Sequence, residues 1–137
     1  MDRAIIEILN TVALLCISAL LISLSSNIYF FYYYSDHSLE FNLIYYKIKN
    51  ILQKIYYDGQ KYNKNENITL ILNKYVYLRG NGTNILIISY YGINETMPSP
   101  LNVYGTVSSN IVVFQYVNGI VYITKPSPLY IPPNIVR

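Results

Sequence analysis

The sequence has almost none of the side chains that active sites and covalent staples require. Its 137 residues include one cysteine (Cys16), one histidine (His37) and no tryptophan, and only 12% are charged. A lone cysteine excludes a disulfide within the chain, and one His with one Cys cannot make a zinc cluster. A Ser-His-Asp triad would depend on His37 alone, and no Gly-rich phosphate loop is present. We therefore expect no enzyme, no metal and no cofactor.

Charge is missing altogether from residues 8–34, which are mostly apolar. About 20 apolar residues at 1.5 Å rise each cross the ~30 Å hydrocarbon core of a bilayer. Residues 29–34 are all Tyr or Phe, as in the aromatic belt at a membrane–water boundary. The pattern predicts a transmembrane helix over residues 5–34, a single pass through the cell membrane, and nearly all of the remaining chain on one side.

Two ordinary interpretations of this segment are open. It can be a permanent anchor, because nothing interrupts the apolar run before Tyr34. It can also be a secretory signal peptide with Ser23-Leu24-Ser25 as a small-x-small cleavage site. The apolar core of such signals is about 7–15 residues, which is shorter than this run. Cleavage there would also leave the aromatic cluster at the head of the mature protein.

A third interpretation starts from the residues before the run, where Arg3 and Ala4 directly precede Ile5. This arrangement resembles the class III signal of type IV pilin-like proteins, above all the archaeal ones. The resemblance implies that a membrane peptidase cuts between Ala4 and Ile5, so residues 1–4 are a leader or, if uncut, a cytoplasmic stub. It also implies that the helix is first a membrane anchor and then the core of an extracellular filament.

Glu7 is the one acidic residue near the start of the apolar run. Bacterial pilins place a glutamate fifth in the mature chain, whereas Glu7 would be third, and archaeal members often lack this glutamate. The resemblance implies an inter-subunit salt bridge from Glu7 to the new amino terminus of a neighbouring subunit. The alternative is a carboxylate that snorkels to the interface near the positive end of the helix dipole.

Two signals bear on the orientation of the chain, and they disagree. Lysines soon after the apolar run favour the cytoplasm for that side; they are Lys47, Lys49 and Lys54. Three Asn-x-Thr sequons favour the outside, with acceptors Asn67, Asn81 and Asn94. We expect a cytoplasmic stub and an external, glycosylated C-terminal domain.

The residues after the apolar run predict an α+β fold. Residues 35–59 predict a second, amphipathic helix with Gly59 as its stop and an apolar stripe at i, i+3, i+4 spacing; the stripe is Phe41, Ile44, Ile48, Ile51, Leu52 and Ile55. The stripe can pack on a sheet, or the basic face of this helix can lie on anionic lipid. The first helix can also continue through residues 35–38 with a bend.

Residues 60–125 predict an antiparallel β-meander of five to six strands, as a single curved sheet or a small sandwich. Strands are expected over 68–72, 75–79, 85–90, 103–107, 111–117 and 120–124. The pairs Asn81-Gly82 and Asn118-Gly119 are hairpin turn signals. Residues 126–137 form a Pro-rich tail that either packs along the domain or serves as a proline-rich ligand for a partner.

These features favour a membrane-anchored extracytoplasmic structural protein, a pilin-like subunit or accessory of an archaeal surface filament. Its partners would be the membrane and copies of itself or other pilin-like subunits. The alternative is a single-pass anchored binding module that contacts an envelope layer or partner protein without polymerising. Residues 4–34 contain no Gly for close helix packing, which favours the alternative. The net charge of +3 is spread out, so nucleic acid is not an expected partner.

Overall fold

The chain forms one long helix followed by a four-stranded sheet. The computed structural model describes residues 2–127 and 135–136. The elements are α1 (Asp2–Tyr62), β1 (Glu66–Tyr90), β2 (Ile93–Val117), β3 (Ile120–Thr124) and β4 (Ile135–Val136), with sheet order β3-β2-β1-β4. The residues group into two compact units that meet in sequence between Ser38 and Leu39. We call the second unit, from Leu39 onward, the head.

The separate second helix predicted over residues 35–59 is wrong, because α1 continues through this stretch. Residues 35–38 contain neither Pro nor Gly, so they keep every backbone donor and avoid the two largest penalties in helix propensity. The predicted apolar stripe is confirmed, since each of its six side chains is at most 7% exposed and belongs to one core cluster with the sheet.

The helix ends later than predicted, and Gly59 is not its stop. α1 runs to Tyr62, and Asn63 follows in a left-handed conformation with φ 47°. The Asn63 N–H donates to the Gly59 carbonyl oxygen at 3.0 Å, which satisfies one of the carbonyls left open at a helix C-terminus. Gly59 itself is buried, and a Cβ there would lie 2.6 Å from Cζ of Tyr116. Gly59 therefore makes room for an aromatic ring.

The prediction of five to six strands is also wrong. Two strands of 25 residues each contain most of the segments that were predicted as separate strands. Asn81-Gly82 is a bulge inside β1 rather than a hairpin: the β1–β2 register shifts there, and only Gly82 has a positive φ, 79°. Residues 97–100 and 108–110, which fall outside the predicted strands, both lie within β2. Ile85 is 47% exposed while Leu86 and Ile88 are fully buried, so this part of β1 has an outer and an inner face.

Two-residue turns join the long strands. Asn118-Gly119 connects β2 and β3 with φ 50° and 87°, which confirms the predicted type I′ hairpin. Tyr91-Gly92 connects β1 and β2 with φ 46° and 80°, the same sign pattern, and sequence analysis missed it. A tyrosine at a left-handed position is uncommon, so this turn lacks the usual Asn-Gly or Asp-Gly signal.

The sheet is mixed rather than wholly antiparallel. β3 lies beside two different stretches of β2: it runs parallel to residues 102–104, and its pairing with residues 113–117 descends in register, as in a hairpin. β2 must therefore bend so that both stretches flank β3. β4 pairs in parallel with Thr69 and Leu70 of β1.

The core of the head lies between the buried stripe of α1 and the inner side chains of the sheet. Phe114 of β2 and Leu78 of β1 are fully buried in it together with Ile55 of α1. Most of the predicted Pro-rich tail, residues 128–134 and 137, lies outside the described residues.

Candidate functional site

The first unit exposes nearly all of its large apolar side chains. Leu14 and Leu15 are each 65% exposed, Ile22 is 68% exposed and Phe31 is 72% exposed. Burying such a side chain is worth ~1.5–3 kcal/mol. α1 is the one helix among the described residues that is long and apolar enough to cross a membrane, and its most apolar window is 0% buried. An exposed apolar surface of this kind is compatible with a single-pass membrane anchor.

Two hydroxyl groups in this segment donate to backbone carbonyls one helical turn earlier. Oγ1 of Thr11 donates to the Glu7 carbonyl at 2.8 Å, and Oγ of Ser18 donates to the Leu14 carbonyl at 2.8 Å. In a hydrocarbon environment an unsatisfied donor costs several kcal/mol, roughly. These side chains therefore add no donor that would need water inside a bilayer.

The residues of the signal-like motif lie at the exposed start of α1. Arg3, Ala4 and Ile5 are all exposed, and Nε of Arg3 is 3.7 Å from Oε1 of Glu7. The two side chains are 95% and 72% exposed, so this i, i+4 pair contributes no more than about 0.5 kcal/mol. Glu7 can exchange this partner for another at little cost.

A row of rings marks the end of the apolar segment. Tyr29 and Tyr33 stack with centroids 6.3 Å apart, and Tyr33 stacks on His37 at 4.1 Å. The spacing of four residues places the three rings on one helix face. Amphipathic rings at the end of an apolar helix are typical of the membrane–water boundary.

The three sequons lie in different surroundings. Asn67 is half-buried on β1, and Thr69 of its sequon is only 1% exposed. Asn81 and Asn94 are exposed, as are the threonines two residues after them. Oδ1 of Asn81 accepts a hydrogen bond from Nε of Arg79 at 3.0 Å. Glycosylation stays a prediction at all three, and the folded head presents Asn81 and Asn94 more openly than Asn67.

No family model, curated protein or solved structure matches this chain.

Cys16 is exposed on the apolar segment as a free thiol. Across residues 2–127 and 135–136, no three His, Cys, Asp or Glu side chains lie close enough together to hold a metal ion.

Sequence analysis missed a carboxyl pair where α1 gives way to β1. Burial raises the pKa of Glu66, and the nearby carboxyl of Asp58 raises it further, while Lys54 opposes both with Nζ 3.9 Å from Oε1 of Glu66. Oε2 of Glu66 is buried without a donor among the described residues. Ionised carboxylates only accept hydrogen bonds. The carboxyl groups of Asp58 and Glu66 can therefore hydrogen-bond to each other only when one of them is protonated. No pattern in the sequence links these acids, because one is on the helix and the other is on a strand.

This pair predicts that acidification stabilises the head. A carboxyl whose folded pKa lies above its unfolded pKa binds more proton in the folded state, so its contribution to the free energy of unfolding rises as pH falls from neutral through the folded pKa. Glu66→Gln should flatten this rise because it cannot titrate. Chemical denaturation of the full chain in micelles at several pH values measures the slope. Glu95→Gln on an exposed carboxylate is the control, and an unchanged slope in Glu66→Gln would contradict the prediction.

A second polar cluster joins α1 to Lys74 and Tyr90 of β1. Oη of Tyr90 donates to Oε2 of Glu40, and Nζ of Lys74 lies 3.3 Å from the same oxygen. Burial, followed by the bond to Glu40, raises the pKa of Tyr90. Lys74 also lies over the ring of Tyr91 at 5.5 Å. The cluster fastens the helix to the sheet near the start of the head.

Proposed function

We propose that the protein is a membrane-anchored structural protein of the cell surface, a pilin-like subunit or accessory of an archaeal surface filament. One observation carries the proposal: the exposed apolar residues 5–34 belong to the same helix as the stripe buried in the head. A helix that is apolar on every side needs lipid or other apolar helices around it. Among the described residues nothing buries these side chains, so the segment is suited to a membrane and then to an assembly of like helices.

The proposed mechanism uses cleavage to change the pairing of Glu7. In the intact chain Glu7 has Arg3 as its partner at 3.7 Å. A cut between Ala4 and Ile5 removes Arg3 and creates a new amino terminus on Ile5. Glu7 is then left without that partner next to lipid, where an unpaired charge is costly. Pairing with the amino terminus of a neighbouring subunit restores the interaction and fixes the stagger between subunits.

The proposed orientation places residues 1–4 in the cytoplasm and the head outside. Glycosylation at Asn81 and Asn94 would be compatible with it, because both side chains are exposed on the head. The proposed partners are the membrane and further copies of this chain or related subunits. An envelope layer protein is a further candidate partner for the exposed surfaces of the head.

The mature N-terminus tests the proposal most directly. We expect the protein purified from its host's membranes to begin at Ile5, as read by N-terminal sequencing and intact mass. Ala4→Leu should block cleavage, because the resemblance requires a small residue before the cut. Ala13→Leu, which makes the same change further along the helix, should leave processing intact. Retention of Met1 in the wild-type protein would sink the processed-subunit version.

The non-polymerising alternative has its own support in the chain. Residues 4–34 contain no Gly, so close helix–helix approach depends on Ala and Ser alone. An uncut chain that extracts from membranes as a monomer would favour an anchored binding module. A cut chain that sediments in filaments would exclude that alternative.

A further inference from the structure

The head contains a groove at the place where α1 gives way to β1. It has a volume of about 790 Å³ and lies between the last turn of α1, the connection at residues 63–65 and the end of β2. Volumes of about 300–1,000 Å³ are usual for small-molecule sites. All of its lining residues lie within the head. We call it the α1–β1 groove.

Charge in the α1–β1 groove is balanced rather than one-sided. The lining residues Asp58 and Glu66 supply two carboxyl groups, and Lys64 supplies one ammonium group. Lys54 lies outside the lining, but its Nζ is 3.9 Å from Oε1 of Glu66. With Lys54 counted, the groove and its edge carry no net charge to attract a small ion. Such a lining favours a neutral ligand that can both donate and accept hydrogen bonds.

The uncharged lining combines carboxamides with aromatic rings. Asn65 and Gln115 each offer a donor and an acceptor in one plane. Oδ1 of Asn65 accepts from the N–H of Asn118 at 3.4 Å, which ties this wall of the groove to the β2–β3 turn. Tyr62 presents a side chain that is 62% exposed, whereas Tyr116 lines the groove and is only 9% exposed.

Gly59 fixes the position of the Tyr116 ring. Any Cβ at residue 59 would lie 2.6 Å from Cζ and Oη of Tyr116, so only glycine lets the ring lie against the helix. The ring therefore forms one wall of the groove instead of filling it. A pre-formed wall lowers the entropic cost of binding a ligand.

We propose that the α1–β1 groove binds a neutral saccharide. Pyranose rings have flat faces of C–H groups that pack on aromatic rings, and they have hydroxyl groups that both donate and accept. The exposed ring of Tyr62 suits the first feature. The carboxylate of Asp58 and the carboxamides of Asn65 and Gln115 suit the second. The site does not depend on whether the chain forms filaments.

Saturation-transfer NMR on the full chain tests this directly. The protein is held in a sugar-free zwitterionic detergent, because glucoside and maltoside detergents would compete. The probes are the methyl glycosides of glucose, mannose and galactose, and N-acetylglucosamine. We expect at least one to bind with a Kd of about 0.1–10 mM. Absence of transfer to all four at about 50 mM would overturn the proposal.

Variants locate the binding. Tyr62→Ala and Gln115→Ala should each weaken it about tenfold or more. Tyr75→Ala and Gln53→Ala change the same residue types at exposed positions outside the groove and should leave the Kd unchanged. Circular dichroism confirms that each variant is folded. Equal weakening in both sets, or tighter binding of ethanolamine than of any sugar, would also overturn the proposal.

Discussion

Gly105→Ala is expected to destabilise the head by more than about 3 kcal/mol, a large part of the ~5–15 kcal/mol that keeps a typical domain folded. Gly105 has φ 115°, and a Cβ there would lie 2.4 Å from the carbonyl oxygen of Ile123 on β3. A non-glycine residue in such a conformation costs ~1–3 kcal/mol. The overlap with backbone adds to this, because relieving it would push β3 away from β2. Chemical denaturation of the full chain in micelles, followed by circular dichroism, measures the loss.

Gly92→Ala is the matched control for this experiment. Gly92 also has a positive φ, 80°, but a Cβ there would meet no atom within 4 Å. It should therefore show only the conformational cost, about 1 kcal/mol. Equal losses in the two variants would contradict the prediction, because the overlap of the new Cβ with the carbonyl oxygen of Ile123 would then add no cost.

The parts of the fold that local chemistry determines were predictable. The stripe from Phe41 to Ile55 recurs at helical spacing, which predicts an apolar helix face, and each of its side chains is buried. Asn118-Gly119 supplies two residues that tolerate positive φ, and the chain turns there with φ 50° and 87°.

The parts that depend on distant segments were not predictable. Asn81-Gly82 has the same turn chemistry as Asn118-Gly119, but only Gly82 uses a positive φ, and the strand continues through a bulge. One left-handed residue makes a bulge and two make a turn, and pairing with β2 decides which forms. The position of β3 between two stretches of β2 likewise depends on a bend that no local motif encodes.

The candidate site divides in the same way. The apolar segment is visible in composition alone, because residues 8–34 lack charge. The α1–β1 groove is not visible there, because Asp58, Tyr62 and Gln115 come together only when the end of the helix meets the end of β2. Hydrophobic patterning can locate elements along the chain, whereas a groove requires knowing which of their ends are neighbours.

The apolar segment gives the largest expected effect on localisation. Leu14→Arg combined with Leu20→Arg should release the protein from membranes. Each arginine near the centre of a membrane helix costs ~2.5–3.5 kcal/mol on insertion scales, so the pair costs about 5–7 kcal/mol. An equilibrium shifts about tenfold for every 1.4 kcal/mol. Arg and Leu have similar helix propensities, so α1 itself should persist. Alkaline carbonate extraction followed by sedimentation measures the fraction that stays in the membrane pellet.

The matched control makes the same two changes on the head. Leu39→Arg combined with Leu43→Arg replaces leucines that are 62% and 64% exposed, close to the 65% and 64% of Leu14 and Leu20. The two positions are four apart in this pair and six apart in the other pair. All four leucines lie on α1. The leucines of the two pairs are therefore equally exposed in the isolated chain. The pairs differ in whether the membrane is expected to surround them in the cell. Retention of the control in the pellet with loss of the Leu14 and Leu20 variant would locate the anchor to residues 5–34. Equal retention of both would contradict membrane insertion of this segment, since arginine at mid-helix would then carry no cost.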